Sequence, residues 1–401
     1  MAVDDRLVLI SADCHAGANH ETYREYLDPS YRDEFDRWRG QYSNPFRDLT
    51  RGDRDRNWND ERRISELEAD GVVAEVVFPN TIPPFFPTGA VVARPPLPEE
   101  YELRLAGLRA HNRWLAEWCA AHPERRAGIG QIFLNDIDDA IAEVRWCHAN
   151  GLRGGILLPP VPDDMKHLAP LYTDSYDRLW QECAELGVVV NVHSGGTGLP
   201  DYGPGPAAGQ IWIAELTFFS RRPLSHMLLG GAFERFPGLR FVLTESGCSW
   251  IPDLLAQLDG YHAQARRTGR IGELKYDEDA LLPKPPSEYF ARNCWVGASF
   301  PSPLEAASRH AVGLDRYMWG SDYPHDESTY PDTLLGLRRS FQDAEPEELR
   351  GILGGTAASV YGFDLDALQP HADRCGPTVA DIRAPYDGPP AGNRSPAFSR
   401  A

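Results

Sequence analysis

Lysine is nearly absent from this chain of 401 residues: Lys166, Lys275 and Lys284 are the only three, and arginine carries almost all the positive charge. Long apolar runs are missing too, and none approaches the ~20 residues that cross a bilayer. The start, MAVDDRLVLISADCH, has no basic segment leading into an apolar one, so no secretory leader is expected. The seven cysteines (Cys14, Cys119, Cys147, Cys183, Cys248, Cys294 and Cys375) form no CxxC pair and are odd in number, which argues against a disulfide framework. Basic residues are outnumbered 40 to 59, giving a formal charge of −19 that repels phosphate backbones and anionic lipid. Nucleic-acid and membrane-surface roles are therefore excluded. No G-x-S-x-G elbow and no P-loop occurs, and the glycines of GPGPAAG lack the strand–turn–helix setting of a dinucleotide site. What is left is a reduced, cytoplasmic globular protein with an ordinary 42% hydrophobic content.

Against these absences stands a regular alternation. Eight short apolar, β-branched runs occupy 6–15, 72–80, 126–134, 153–160, 187–195, 239–247, 293–300 and 316–325. Amphipathic stretches such as ELRLAGLRAHNRWLAEWCAAH and TDSYDRLWQECAELG separate most of them, with apolar residues at three- and four-residue steps. Strands alternating with helices signal βαβ units and a parallel sheet. Eight such units close into a (β/α)8 TIM-like barrel, with an open doubly wound sheet as the alternative. Residues 1–365 are expected to form this single barrel, and 366–401, rich in Pro, Gly and Ala, an extended tail. The long connections 16–66, 81–100, 197–220 and 250–290 read as lids or binding walls. Phe85, Phe86, Trp212, Phe218 and Phe219 within them are candidates for a hydrophobic pocket, or for ordinary loop packing.

The chemistry-bearing residues sit where the apolar runs end. The first ends in Asp13-Cys14-His15, the fifth in His193 and the sixth in Glu245; the eighth ends in Asp322, with His325 three residues on. Asp13 and His15 differ by two and share a face, whereas Cys14 points to the other face as a buried residue. In a closed barrel these ends converge at one mouth, and mixed imidazole and carboxylate donors suit Zn²⁺, Fe²⁺ or Mn²⁺. The candidate ligands are therefore Asp13, His15, His193, Glu245, Asp322 and His325, with Asp322, Glu245 and His325 as candidate catalytic groups. Singly, each is as readily a capping or turn residue. His20 either reaches a second metal or is solvated, His226 reads as a packing or interface residue, and Asp326 and Glu327 as solvated or supporting.

The segments ISADCHAG (10–17), GGAFERFPGLRFVLTESG (230–247) and MWGSDYPH (318–325), with VNVHSGG and GGTAASVYGFD in support, resemble the amidohydrolase superfamily, specifically its amidohydrolase-2 branch. The resemblance runs over about residues 5–365. It implies a distorted (β/α)8 barrel, a first-strand metal motif at Asp13 and His15, a ligand at His193, and Asp322 as ligand and base. Two departures qualify it. The fourth run ends Leu157-Leu158-Pro159-Pro160 and no lysine lies at a strand end, so the carbamylated lysine of dinuclear relatives is excluded. The decarboxylases of this branch carry a catalytic histidine at the end of strand six, where this chain has Glu245. A carboxylate readily binds metal but donates a proton near neutrality only if its pKa is strongly raised.

That glutamate, the D-C-H opening and the chain length are similar to the non-heme diiron monooxygenase type of platensimycin-like diterpenoid antibiotic biosynthesis. Three functions follow. The first is O₂-dependent hydroxylation of a small or polycyclic organic acid at one or two divalent ions, Fe²⁺ favoured. The second is hydrolysis of a cyclic amide, lactone or ester, or non-oxidative decarboxylation, with Zn²⁺ or Mn²⁺ possible. The third is an inactive barrel that binds without reacting. The expected partners are a small-molecule substrate and, for an oxygenase, O₂; a homodimer is the default assembly.

Overall fold

The computed structural model describes residues 6–42, 54–276, 281–389 and 392–399. Eight parallel strands follow one another in chain order around one sheet: β1 (Ile10–Ala16), β2 (Ala74–Pro79), β3 (Arg126–Gln131), β4 (Gly155–Leu157), β5 (Val189–His193), β6 (Arg240–Thr244), β7 (Cys294–Ser299) and β8 (Tyr317–Gly320). Each falls on one of the eight apolar runs. Closure comes from the residues just past β8. The Asp322 N–H donates to Asp13 O at 2.9 Å and the His15 N–H to Tyr323 O at 2.7 Å. The Ser321 N–H donates to the Ser11 hydroxyl at 2.9 Å. The protein is a (β/α)8 barrel, and its first and last strands meet through the segment that carries two candidate ligands.

Alternation along β5 shows how side chains are sorted. Val190 and Val192 join the large outer core with the helices, while Val189, Asn191 and His193 share the opposite face. On that face the Tyr361 hydroxyl, from the helix Thr356–Tyr361, donates to Asn191 Oδ1 at 2.8 Å. β4 is short because its backbone is pressed between neighbours. A Cβ on Gly154 would stand 2.5 Å from Ala127 O, and one on Gly155, at φ +88°, 2.0 Å from Val189 O. Only glycine fits both the approach and the dihedral. β1 is braced from outside by Arg63 on the helix Asp60–Ala69, which donates to His15 O at 2.8 Å and pairs with Glu75 Oε2 on β2 at 2.6 Å.

Two expectations need correction. Residues 366–401 are not simply an extended tail: helices Leu365–Cys375 and Val379–Arg383 bury Leu368, Ala372, Val379 and Ile382 against the barrel. High Pro and Gly content hid them, because Thr378 and Asp364 supply N-caps that restart helices between the breakers. Three of the four long connections also carry helices. His20–Tyr26, Arg32–Gln41 and Asp60–Ala69 lie in the first, most of Ala208–Leu229 overlaps the third, and Ile251–Thr268 fills much of the fourth. The segment 81–100 alone is irregular throughout. Among the described residues no helix is long and apolar enough to cross a membrane.

Candidate metal centre

The mouth of the barrel collects side chains from four strand ends. His15 Nε2 lies 3.4 Å from Asp13 Oδ1 and 3.3 Å from Asp322 Oδ1. His193 Nε2 lies 3.5 Å from Asp13 Oδ1 and 3.2 Å from Glu245 Oε2. Donors bound about 2.0–2.2 Å from one cation stand roughly 3–3.5 Å apart around it, so these spacings match a shared ion. Donor atoms of Asp13, His15, His193 and Glu245 lie within 4.8 Å of one another, as do those of His15, Asp322 and His325, and those of Glu245, Asp322 and Glu327.

Each imidazole is turned by its other nitrogen. His15 Nδ1–H donates to Pro79 O at 3.3 Å and His193 Nδ1–H to Ser194 O at 3.0 Å, which leaves both Nε2 lone pairs facing inward. The chain offers nothing to meet them: Asp13 Oδ1, His15 Nε2, His193 Nε2 and Asp322 Oδ2 are buried and lack a hydrogen-bond partner. Unsatisfied polar atoms at this depth cost free energy, and those of Asp13, His15 and His193, grouped with a Glu245 oxygen, fit a divalent cation held by nitrogen and oxygen.

Two ligand candidates stand on strained backbone. Glu245 (φ 53°) and Asp322 (φ 66°) occupy the left-handed region directly after β6 and β8, a cost of about 1–3 kcal/mol each. At Glu245 the turn swings the carboxylate toward the axis against the alternation of β6, in which Val242 faces in and Leu243 out, whereas Asp322 keeps the inward face of Met318 and Gly320. The electrostatics report crowded negative charge. Burial raises the Asp13 carboxyl, but the facing imidazoles of His193 and His15 outweigh it and hold the group well below the usual carboxylate range. Burial would lower His193, yet Asp13 and Glu245 pull it up to about 9. Glu245 is pushed up to about 8 by burial and by the facing Asp322. His325 is likewise raised despite burial, by Asp322, whose Oδ1 accepts its Nδ1–H at 2.8 Å. Upward shifts at two histidines and a carboxyl mark a cluster whose surplus negative charge a divalent cation would neutralise.

All six candidate ligands are thus brought together. Sequence reasoning passed over two further groups. The Ser299 hydroxyl at the end of β7 donates to Asp13 Oδ2. Asn80 Oδ1, just after β2, lies 3.1 Å from His325 Nε2. Glu327, read from the sequence as solvated or supporting, stands in a carboxylate group with Glu245 and Asp322. Ser299 and Asn80 each close an apolar run, which was the available signal. His20 is not in the centre: its Nε2 lies 3.0 Å from Ile82 O, and its ring packs among Phe35, Trp38 and Tyr42. Cys14 is buried, 3.5 Å from the Ser321 hydroxyl, and burial pushes its thiol upward. His226 stacks edge-on against Tyr172. The five aromatic loop residues do not form one wall: Phe85 packs on Phe35 and Trp38, whereas Phe218 is 59% exposed.

The amidohydrolase family profile matches residues 12–363. The chain is 24% identical over 320 residues to 2-amino-3-carboxymuconate-6-semialdehyde decarboxylase of Dictyostelium discoideum, covering 77% of each protein. It is 26% identical over 239 residues to gamma-resorcylate decarboxylase of Rhodococcus jostii (strain RHA1), covering 54% of this chain and 66% of that one. In fold it is similar to 5-carboxyvanillate decarboxylase of Novosphingobium aromaticivorans DSM 12444, solved with manganese and 4-hydroxy-3-methoxy-5-nitrobenzoic acid. That match has a TM-score of 0.64 and 20% identity over 90% of this chain and 99% of the other.

Proposed function

Because the chain belongs to the amidohydrolase family and is a metal-dependent enzyme of that superfamily, we propose that it catalyses non-oxidative decarboxylation of a small aromatic or unsaturated carboxylic acid. The observation that carries the metal dependence is the set of buried, unpartnered donor atoms of Asp13, His15 and His193 converging from β1 and β5, with Asp322 adjoining His15. The choice of reaction is supported by the relatives, which are decarboxylases by name. Asp13, His15, His193 and Asp322 would hold the ion, and Mn²⁺ or Zn²⁺ suits these donors. A bound ion supplies a Lewis acid that orients the substrate's oxygens and draws charge away from the bond to be broken.

The chain's own groups do the rest. The carbon–carbon bond to the carboxyl breaks, CO₂ leaves, and the electron pair on the ring or vinyl carbon must take a proton. Asp322 and His325, joined by a 2.8 Å hydrogen bond, form the pair placed to deliver it. Glu245, held 3.2 Å from His193 Nε2, takes the place of the strand-six histidine of known decarboxylases and either binds the ion or orients the substrate. The test is turnover of hydroxylated benzoates in D₂O under nitrogen with Mn²⁺-loaded protein. CO₂ release with one deuterium at the vacated carbon is expected, and turnover that requires O₂ would overturn the reading.

One observation favours a second reading. Glu245, Asp322 and Glu327 add a carboxylate-rich ligand group to the histidine-rich one, more donors than one ion uses. A two-ion centre of that composition suits O₂-dependent hydroxylation, and the same anaerobic experiment separates the two.

A further inference from the structure

Residues 392–399 lie outside the stretch matched by the family, yet they are tied to the loop beside the metal centre. The Ser395 hydroxyl lies 2.9 Å from Glu327 O and 2.7 Å from Ser328 O, donating to one of two successive carbonyls of that loop. Asn393 sets Ser395 in place: its Oδ1 accepts the Ser395 N–H at 2.8 Å, and its Nδ2–H donates to Asp332 Oδ2 at 2.7 Å. Two residues on, Ala397 is buried, and its carbonyl accepts from Arg339 at 3.2 Å. The barrel holds the same loop from the other side. The Ser328 N–H donates to His325 O at 3.2 Å and the Thr329 N–H to Ser321 O at 3.1 Å.

The loop 325–329 is therefore gripped between the end of β8 and the segment 393–397. It carries His325, bonded to Asp322, and Glu327, grouped with Glu245 and Asp322. An irregular loop has no ladder to fix its carbonyls, so whatever meets them decides where its side chains stand. We infer that Asn393–Ala397 is a strap that positions Glu327 and His325 over the mouth, with Ser395 as its positioning residue. This rests on reading the mouth as a metal centre. It adds that the centre's outer edge is completed by a segment beyond the family-matched barrel.

The experiment compares the full chain with Ser395→Ala, Ser395→Thr and a deletion of residues 392–401. Backbone hydrogen exchange at Ser328 and Thr329 is followed together with Mn²⁺ binding by calorimetry. In Ser395→Ala, exchange at both amides should rise about tenfold and Mn²⁺ affinity fall on the order of tenfold, as for other groups that orient ligands, with the thermal midpoint nearly unchanged. Ser395→Thr keeps the hydroxyl and should restore both. The deletion should match or exceed Ser395→Ala, and if it fails to fold the point variants decide. Unchanged exchange in Ser395→Ala overturns the strap. Faster exchange with full Mn²⁺ affinity overturns the positioning role. A wild-type chain that takes up no Mn²⁺ defeats the metal reading instead, while exchange alone still decides whether the strap exists.

Discussion

At the scale of single residues, the centre combines groups that bind with groups that aim. Replacing Asp13 or His193 by Ala removes a donor from the group they form with His15 and Glu245, so bound metal should fall below stoichiometric and turnover drop at least 100-fold. Elemental analysis after gel filtration checks the first, and full metal occupancy in either variant would dismiss these residues as ligands. Ser299→Ala is a subtler test: it frees Asp13 Oδ2 without touching a ligand, and metal affinity should weaken about 10- to 100-fold. Away from the centre, Arg63 is buried against Glu75 and also holds His15 O. Arg63→Met should cost about 3–5 kcal/mol in urea unfolding, because Glu75 is left as a buried charge that Arg126, 3.5 Å away, only partly compensates.

Asp70 gives a pH prediction independent of the metal. Burial and the neighbouring Asp332 push its carboxyl up to about 7 from an ordinary 3.8, while its Oδ1 accepts the Thr333 N–H at 3.0 Å. Between these two values the folded chain binds more protons at this site than the unfolded chain, so stability falls as pH rises through that window and then levels off. Asp70→Asn keeps the acceptor and removes the charge. Its thermal midpoint should gain on the wild type from pH 5 to pH 8. A difference that stays flat across that range would show that Asp70 is not held protonated.

At the scale of elements, the short β4 depends on bare backbone. Gly155→Ala should destabilise by roughly 4 kcal/mol or more, since the added Cβ meets Val189 O while the residue must keep φ +88°. A loss under about 1 kcal/mol by equilibrium unfolding would mean that β4 and β5 can part without consequence. The elements also show where a one-dimensional reading succeeds. All eight strands announced themselves as apolar runs because both faces of a parallel sheet are covered. The helices in the long connections did not. The first turns of Ala208–Leu229 follow a Pro- and Gly-rich stretch and precede Pro223, so local signals there pointed to loop, whereas its end from Leu224 lies in an amphipathic stretch that reads as helix and packs into the core.

At the scale of the whole molecule, cation and fold are coupled. An ion that binds only the assembled mouth should stabilise the protein by about 2.7 kcal/mol at a hundred times its dissociation constant. Chelation should then lower the thermal midpoint reversibly, and an unchanged midpoint after complete metal removal would contradict a site built by closure. Closure is also why His15 and Asp322 lie 3.3 Å apart although 307 positions separate them in the chain.

Residue type and position along each apolar run were enough to give the barrel, the strand order and six candidate donors at or near strand ends, because burial of parallel strands and the lip position of polar residues are written locally. Tertiary structure alone decided that Glu245 turns inward on left-handed backbone, that Ser299 and Asn80 steady Asp13 and His325, and that residues 393–397 reach back to the loop of Glu327. Such placements follow from which distant backbones pack together, and neither periodicity nor spacing records that.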